Sequence, residues 1–276
     1  MSSFLCPKCQ QPLMVHAQSA GFYCANKHHY DKHEQGYWVF SQAKKPQLDS
    51  RQVMRAKRFL LESGIHQPLI DTLSKVLSEA SMHLPASSID VLDIDCGDGF
   101  YLRAIKQQLQ KLDKQVNGCG LGEAENALFA GAKIDPELQL IVSQLKQLPL
   151  SDDSVDLVSV VDKPLKGKEP LRVLKPGGLL LLVQPAARHL WQIKNHLYDN
   201  LQQKQVDINL PKGFELISTQ EVNYQAVVSG EQAVTLLQMS PFAWRANDKV
   251  LKQIEMDSFA ALELGYHVTL AKKSTS

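Results

Sequence analysis

Cys6-Pro7-Lys8-Cys9 is followed after fourteen residues by Cys24 and after three more by His28, a C-x2-C-x14-C-x3-H series. A C-x2-C pair on a tight turn brings two thiolates to one metal ion, and a second pair across a short hairpin closes a tetrahedron. Three soft sulfurs and one imidazole suit zinc, and four protein ligands leave no position for water, so such a site is structural. Roughly forty residues with few large aliphatic side chains hold too little core to fold alone, so the ion would contribute folding free energy directly. His28 fits the spacing best, with His29, His33 and His16 close by; free surface cysteines are the plainer alternative. Phe22, Tyr23 and Tyr30 either fill this small ribbon or, beside Lys27 and Lys32, stack on nucleic-acid bases.

The second constellation is Asp93-Ile94-Asp95-Cys96-Gly97-Asp98-Gly99. Gly97 and Gly99 let the chain turn sharply and bring its backbone close to a ligand. The elements that must hold this turn are legible from hydrophobic patterning. Val91 to Ile94 is a buried-strand run, Tyr101 to Leu112 a helix and Val116 to Leu121 a second strand; strands follow at Leu138 to Val142, Val155 to Val161 and Leu179 to Val183. Such alternation predicts an α/β fold, a doubly wound Rossmann-like parallel sheet whose ligands sit at the carboxyl ends of the strands. Upstream, Arg51 to Leu61 reads as a helix with Arg51, Arg55 and Arg58 on one face, and His66 to Met82 as a second helix. The basic face is either solvated or placed for phosphates. Polar residues from Ser41 to Ser50, with Lys44-Lys45-Pro46, mark a linker. The predicted organisation is a zinc ribbon over 1–40, a linker with helices over 41–88 and the α/β domain over 89–276.

The chain has 276 residues, 44% hydrophobic and 21% charged, which excludes disorder or coiled coil as its main plan. Thirty Lys and Arg against 29 Asp and Glu give a net charge of +1, which alone argues against an obligate polyanion binder. The average conceals a split. Nine basic and three acidic residues precede residue 61, a net of +6, leaving −5 for the remainder. A basic front end on a mildly acidic body can guide one face onto an anionic partner. No apolar run of membrane-spanning length occurs and the start lacks a signal-peptide pattern, so a cytoplasmic protein without membrane attachment is expected. Five cysteines, an odd number, argue against a disulfide framework there.

Leu148-Pro149-Leu150 before Ser154 to Val158, and Val173-Leu174-Lys175-Pro176-Gly177-Gly178 before the fifth strand, join the glycine turn in the order and spacing that resemble class I S-adenosylmethionine-dependent methyltransferases. With the metal motif in front, the chain resembles the bacterial 23S ribosomal RNA (guanine-N1)-methyltransferases over nearly its full length. Cys6 to Leu13, Cys24 to His28, Gln67-Pro68-Leu69, Val91 to Ile94, Arg188-His189-Leu190 and above all Leu236-Leu237-Gln238-Met239-Ser240-Pro241-Phe242-Ala243-Trp244-Arg245 carry the resemblance. It implies methylation of a guanine N1 in a 23S rRNA hairpin, a zinc module that helps recognise RNA, and a homodimer. It also implies a donor site of Asp93, Cys96, Gly97, Gly99, Phe100 and Tyr101, with His189 after the fifth strand and His66 near the donor. His189 alternatively packs or caps. Unpaired N–H groups at the helix start would face the donor's carboxylate.

The sequence departs from that pattern at one pocket. Asp95 replaces the first glycine of the turn, at a position where the left-handed region stays open to Asp at modest cost. The acid expected at the end of the second strand is absent, Gly120-Leu121-Gly122 standing there with Glu123 one residue late, and His66 replaces a tyrosine. Val161-Asp162-Lys163-Pro164 replaces a Tyr-Ala-Pro segment beside the target base. Asp162 is the local acid that could accept the N1 proton, or else a surface acid paired with Lys163. Relaxed donor binding with retained RNA binding would make the chain a catalytically weakened or inactive paralogue that binds RNA or a ribosome-assembly partner. A small-molecule methyltransferase is a third reading, for which the ribbon would be superfluous.

Overall fold

The computed structural model describes residues 4–42, 49–165, 167–203 and 210–275; the Lys44-Lys45-Pro46 part of the expected linker lies outside them. Near the N-terminus, three two-residue strands form an antiparallel sheet: β1 (Met14–Val15), β2 (Phe22–Tyr23) and β3 (His29–Tyr30). The next strand, β4 (Trp38–Val39), belongs elsewhere. It pairs in parallel with β7 (Gln139–Val142) and forms the edge of the large sheet.

Two helices lead to that sheet. α1 (Arg51–Glu62) is capped by Ser50, whose hydroxyl accepts from the Val53 N–H. α2 (Gln67–Ala80) has Pro68 in its first turn, where the missing N–H costs nothing, and buries Leu69, Leu73, Val76 and Leu77 at helical spacing. The strand-helix alternation follows: β5 (Ser88–Ile94), α3 (Phe100–Lys111), β6 (Gln115–Gly122), α4 (Glu125–Ile134), β7, β8 (Val155–Val161), α5 (Glu169–Val173) and β9 (Leu174–Pro185). All seven residues of β8 are buried, as expected of a central parallel strand covered on both faces. The short α6 (Trp191–Lys194) precedes a C-terminal hairpin of β10 (Phe214–Ser229) and β11 (Ser258–Lys273), between which lie α7 (Gly230–Met239) and α8 (Asp248–Glu255).

The eight-stranded order is β10-β11-β9-β8-β5-β6-β7-β4. It is parallel from β4 to β9, and β11 lies antiparallel to both β9 and β10. β5 runs between β6 and β8, so the order reverses there and opens a crevice at its carboxyl end.

The two faces of this sheet are covered differently. Ile89, Val91, Leu140, Leu157, Leu179 and Leu181 pack with the apolar sides of α2, α3, α4 and α7. The alternate set, Leu92, Leu121, Ile141, Val158, Leu180 and Leu182, packs instead with Phe4, Phe22, Tyr30, Trp38 and Phe40 of the N-terminal forty residues. Phe4 meets Phe22 and Phe40 edge-on, with centroids 5.3 and 5.6 Å apart. Backbone bonds from Leu5 N–H to the Pro149 carbonyl (3.0 Å) and from Phe40 N–H to the Val142 carbonyl (3.0 Å) tie the small sheet to the large one. Among the described residues no helix is long and apolar enough to cross a membrane.

Candidate active site and metal centre

At the front, Cys6, Cys9, Cys24 and His28 place their ligand atoms within 4.8 Å of one another. His28 Nδ1 lies 3.4 Å from Cys6 Sγ and 3.5 Å from Cys24 Sγ, and Cys9 Sγ lies 3.6 Å from Cys24 Sγ. Zinc–sulfur bonds of about 2.3 Å in a tetrahedron place ligand atoms about 3.8 Å apart, so the chemistry and size of this donor set suit that ion. His16, His29 and His33 are not part of it. The Tyr30 hydroxyl lies 3.2 Å from Cys6 Sγ and orients it from the second layer. Phe22 and Tyr30 are buried, the core alternative of the two that the sequence left open.

At the carboxyl ends of β5 and β8 lies a cavity of about 980 Å³. The glycine turn forms one wall through Asp95, Cys96, Gly97, Asp98, Phe100 and Tyr101. Gly97 sits at φ +58° with nothing within 4 Å of where a Cβ would be, so its bare backbone faces open space. Asp95, in the position where a third glycine was expected, takes φ +58°, and its carboxylate lies 3.7 Å from Lys163 Nζ. α3 starts at Gly99 (φ +77°), and its first N–H, of Phe100, is bonded to the Asp98 carboxylate at 3.1 Å.

Asp162 also lines the cavity, at φ +52°. The residue is half-buried rather than on the open surface: its Oδ1 is shielded and has no hydrogen-bond partner among the described residues, and the ion pair of Lys163 is with Asp95. Burial pushes the Asp162 carboxyl up to about 7. His66, at the start of α2, is 3% exposed and neither ring nitrogen has a hydrogen-bond partner among the described residues; burial pulls its pKa down to about 4. His189 is 1% exposed; its Nδ1 accepts from the Gly265 N–H at 3.4 Å, and burial with nearby Lys194 lowers its pKa to about 3. Both imidazoles are therefore neutral near pH 7. The following residue, Leu190, holds φ +54°, a costly conformation for a bulky side chain. Its N–H donates to the Glu263 carbonyl at 2.7 Å, which fixes that turn against β11.

Two of the expected donor residues, Asp93 and Gly99, are not part of the cavity wall. Asp93 is buried behind the turn, where its carboxylate accepts from the Ser159 hydroxyl at 2.7 Å and burial pushes its pKa up to about 7. Glu123 does line the cavity, and its Oε1 accepts from the Leu145 N–H at 3.2 Å. A Cβ at Gly122 would meet only the Leu128 side chain, at ordinary contact distance.

Several further wall residues were not among the expected site residues, although Arg58 belongs to the expected basic face and Leu236 and Met239 to the block that carries the resemblance. Tyr266 of β11 stands between the two histidines, with ring centroids 4.6 Å from His189 and 6.2 Å from His66. Met54, Lys57, Arg58 and Leu61 come from α1, and Leu236 and Met239 from α7.

A glycine turn after the first strand, a crevice at the reversal of strand order and an antiparallel strand inserted beside β9 give the architecture of the class I methyltransferase fold. A family profile described as a methyltransferase domain matches residues 92–182. Over nearly its full length the chain resembles 23S rRNA (guanine-N1)-methyltransferases. It is 25% identical over 257 residues to the 23S rRNA (guanine(748)-N(1))-methyltransferase of Streptomyces fradiae, covering 90% of this chain and 89% of that one. It is 28% identical over 260 residues, 88% of this chain and 87% of the relative, to a Micromonospora griseorubida protein provisionally named a 23S rRNA (guanine-N(1)-)-methyltransferase. Among solved structures, YcgJ of Bacillus subtilis matches with a TM-score of 0.46 at 15% identity, over 76% of this chain and all of that one.

Proposed function

We propose that the protein methylates N1 of a guanine in a hairpin of 23S ribosomal RNA. The observation that carries this reading beyond its relatives' names is Asp162: a shielded carboxylate oxygen without a hydrogen-bond partner among the described residues, in the same cavity as the glycine turn. Guanine N1 carries a proton that must leave, and a carboxyl poised near 7 is suited to receive it.

Bound S-adenosylmethionine would supply an electrophilic sulfonium methyl. The backbone at Gly97 and the first turn of α3 at Tyr101 would hold the donor's carboxylate end, Cys96 and Phe100, whose N–H groups are bonded to the Leu121 carbonyl and the Asp98 carboxylate, would line it, and Glu123 would hold its ribose hydroxyls in place of the acid missing at Gly122. Neutral His66 and His189 would serve as hydrogen-bonding wall groups rather than charges. Asp93, tied to Ser159, would steady the turn from behind. A guanine extruded from an RNA loop into the same cavity would take the methyl on N1 as the donor's bond between sulfur and methyl breaks and S-adenosylhomocysteine leaves, and Asp162 would accept the N1 proton. Catalysis is then mainly positioning. The four front ligands would hold a structural zinc ion, the basic front end would face the RNA, and two copies would pair.

A weakened paralogue is favoured by two observations, the charged Asp95 on the turn and the empty position at Gly122. Titration calorimetry with S-adenosylmethionine, followed by transfer of labelled methyl to 23S rRNA fragments with mass mapping of the product, separates the readings. Donor binding and a methylated guanine N1 are expected; no donor binding up to millimolar concentration overturns the enzymatic reading.

A further inference from the structure

A strip of rings and cations joins two segments of the cavity wall. Arg188, next to the cavity-lining His189, lies with its guanidinium carbon 4.4 Å from the Trp191 ring. Lys194 Nζ is 5.8 Å from that ring and 4.9 Å from the ring of Phe242. Arg245 then stacks between two rings, 4.8 Å from Tyr198 and 4.4 Å from Trp244. Trp244 follows the cavity-lining Met239 by five residues, which bounds their separation at about 18 Å along extended chain.

Two features point to a ligand. Trp244 is 76% exposed, so with a guanidinium over one side of the indole the other remains open. Lys194 is 7% exposed, donates to the Ala187 carbonyl at 3.2 Å and has no carboxylate partner among the described residues. Glu263 is occupied by both guanidinium arms of Arg188 at 2.5 Å, and Arg245 makes no ion pair among the described residues. Arg245 therefore keeps its charge without an ion-pair partner among the described residues, and Lys194 shares only the field of a Glu263 already held by Arg188. The core of a protein contact is enriched in aromatic rings and arginine but poor in lysine, whereas here Lys194 lies against two rings beside the two arginines, the combination that suits stacked bases joined by phosphates.

We propose that this strip binds unpaired nucleotides of an RNA loop, with Trp244 as the stacking platform for a base close to the modified one and Arg245 and Lys194 setting positive charge against the phosphates. This rests on the RNA-methylating reading. A duplex keeps its base faces covered, so the platform selects unpaired segments.

The test uses the full-length metal-loaded protein with a labelled 23S rRNA hairpin fragment and a fully paired duplex of equal length, read by fluorescence anisotropy. Trp244→Ala weakens hairpin binding about tenfold or more and leaves the duplex unaffected, while Trp244→Phe retains most of the affinity. Hairpin addition quenches indole emission, and Trp244→Phe removes that quench. Arg245→Gln lowers the slope of log affinity against log salt by about one. Wild-type hairpin affinity in both Trp244→Ala and Arg245→Gln overturns the proposal. So does a changed oligomeric state of Trp244→Ala in sedimentation with RNA affinity intact, which would make the strip a protein contact. Methyl transfer is scored separately. Trp244-dependent RNA binding without transfer in the wild type sinks the enzymatic reading and leaves the strip, and normal transfer with no effect of Trp244→Ala does the reverse.

Discussion

The Asp162 carboxyl keeps its proton to about pH 7 because its oxygens are shielded from water although the residue is only half-buried, and the Lys163 charge offsets this in part. A base works deprotonated, so single-turnover methyl transfer should rise with pH through a midpoint near 7. Asp162→Asn should lower the rate by roughly 10²–10⁴-fold, flatten the profile and leave donor affinity unchanged in calorimetry. The same shift has a stability sign. In the unfolded chain the group loses its proton near pH 3.9, so between about 4 and 7 the folded state binds more protons and stability falls as pH rises. Asp162→Asn should therefore melt several degrees higher than the wild type at pH 8 and alike at pH 3.5, by scanning calorimetry. At Asp95 the strain of φ +58° and the charge act together. Asp95→Gly combined with Gly122→Asp should tighten S-adenosylmethionine binding about tenfold or more, since the side-chain room at residue 122 is already there; unchanged affinity in calorimetry would deny that these positions limit it. Sequence placed Asp162 and Lys163 side by side but could not say which way each side chain turns, and adjacency made the pairing with Lys163 the plainer alternative. Backbone at φ +52° separates them.

At the scale of elements, the strands of the parallel sheet were legible because they are short, buried on both faces and rich in Val, Ile and Leu. The C-terminal hairpin was not. β10 pairs with β11 along its length, but register shifts between Leu216 and Ser218 and between Ala226 and Val228 break the two-residue alternation that would have announced it. β4 is two residues long, too short for any period, and its partner lies in β7, about a hundred residues on. The metal motif was legible because its ligands are local in sequence. Cys24→Ser or a strong chelator should release one zinc ion per chain, measured by elemental analysis. Amide hydrogen exchange should then accelerate first at Phe22, Tyr30 and Phe40, with the Leu5 amide that bonds the Pro149 carbonyl following.

For the whole molecule, the N-terminal forty residues are one of the two layers packed on the sheet rather than an appendage. Removing them would leave Leu92, Leu121, Ile141, Val158, Leu180 and Leu182 facing water on one side. At roughly 1.5–3 kcal/mol for each large aliphatic side chain, the six together are comparable to the 5–15 kcal/mol by which ordinary domains are stable. A fragment of residues 89–276 should therefore be insoluble or bind hydrophobic dyes strongly, whereas the intact metal-loaded chain should melt in a single calorimetric transition. The net charge of +1 likewise describes no single surface; it averages a nearly neutral covering layer, a basic stretch over residues 41–60 and an acidic body. The parallel pairing of Trp38 with Ile141 also sets an order in time. During synthesis at about 5–20 residues per second, the small sheet is complete by Tyr30 and Trp38 has emerged, yet the strand they must cover appears some five to twenty seconds later. The nascent chain thus carries a finished cover before it has a sheet, and in that interval Phe4, Phe22, Trp38 and Phe40 are the surface a ribosome-associated chaperone would meet.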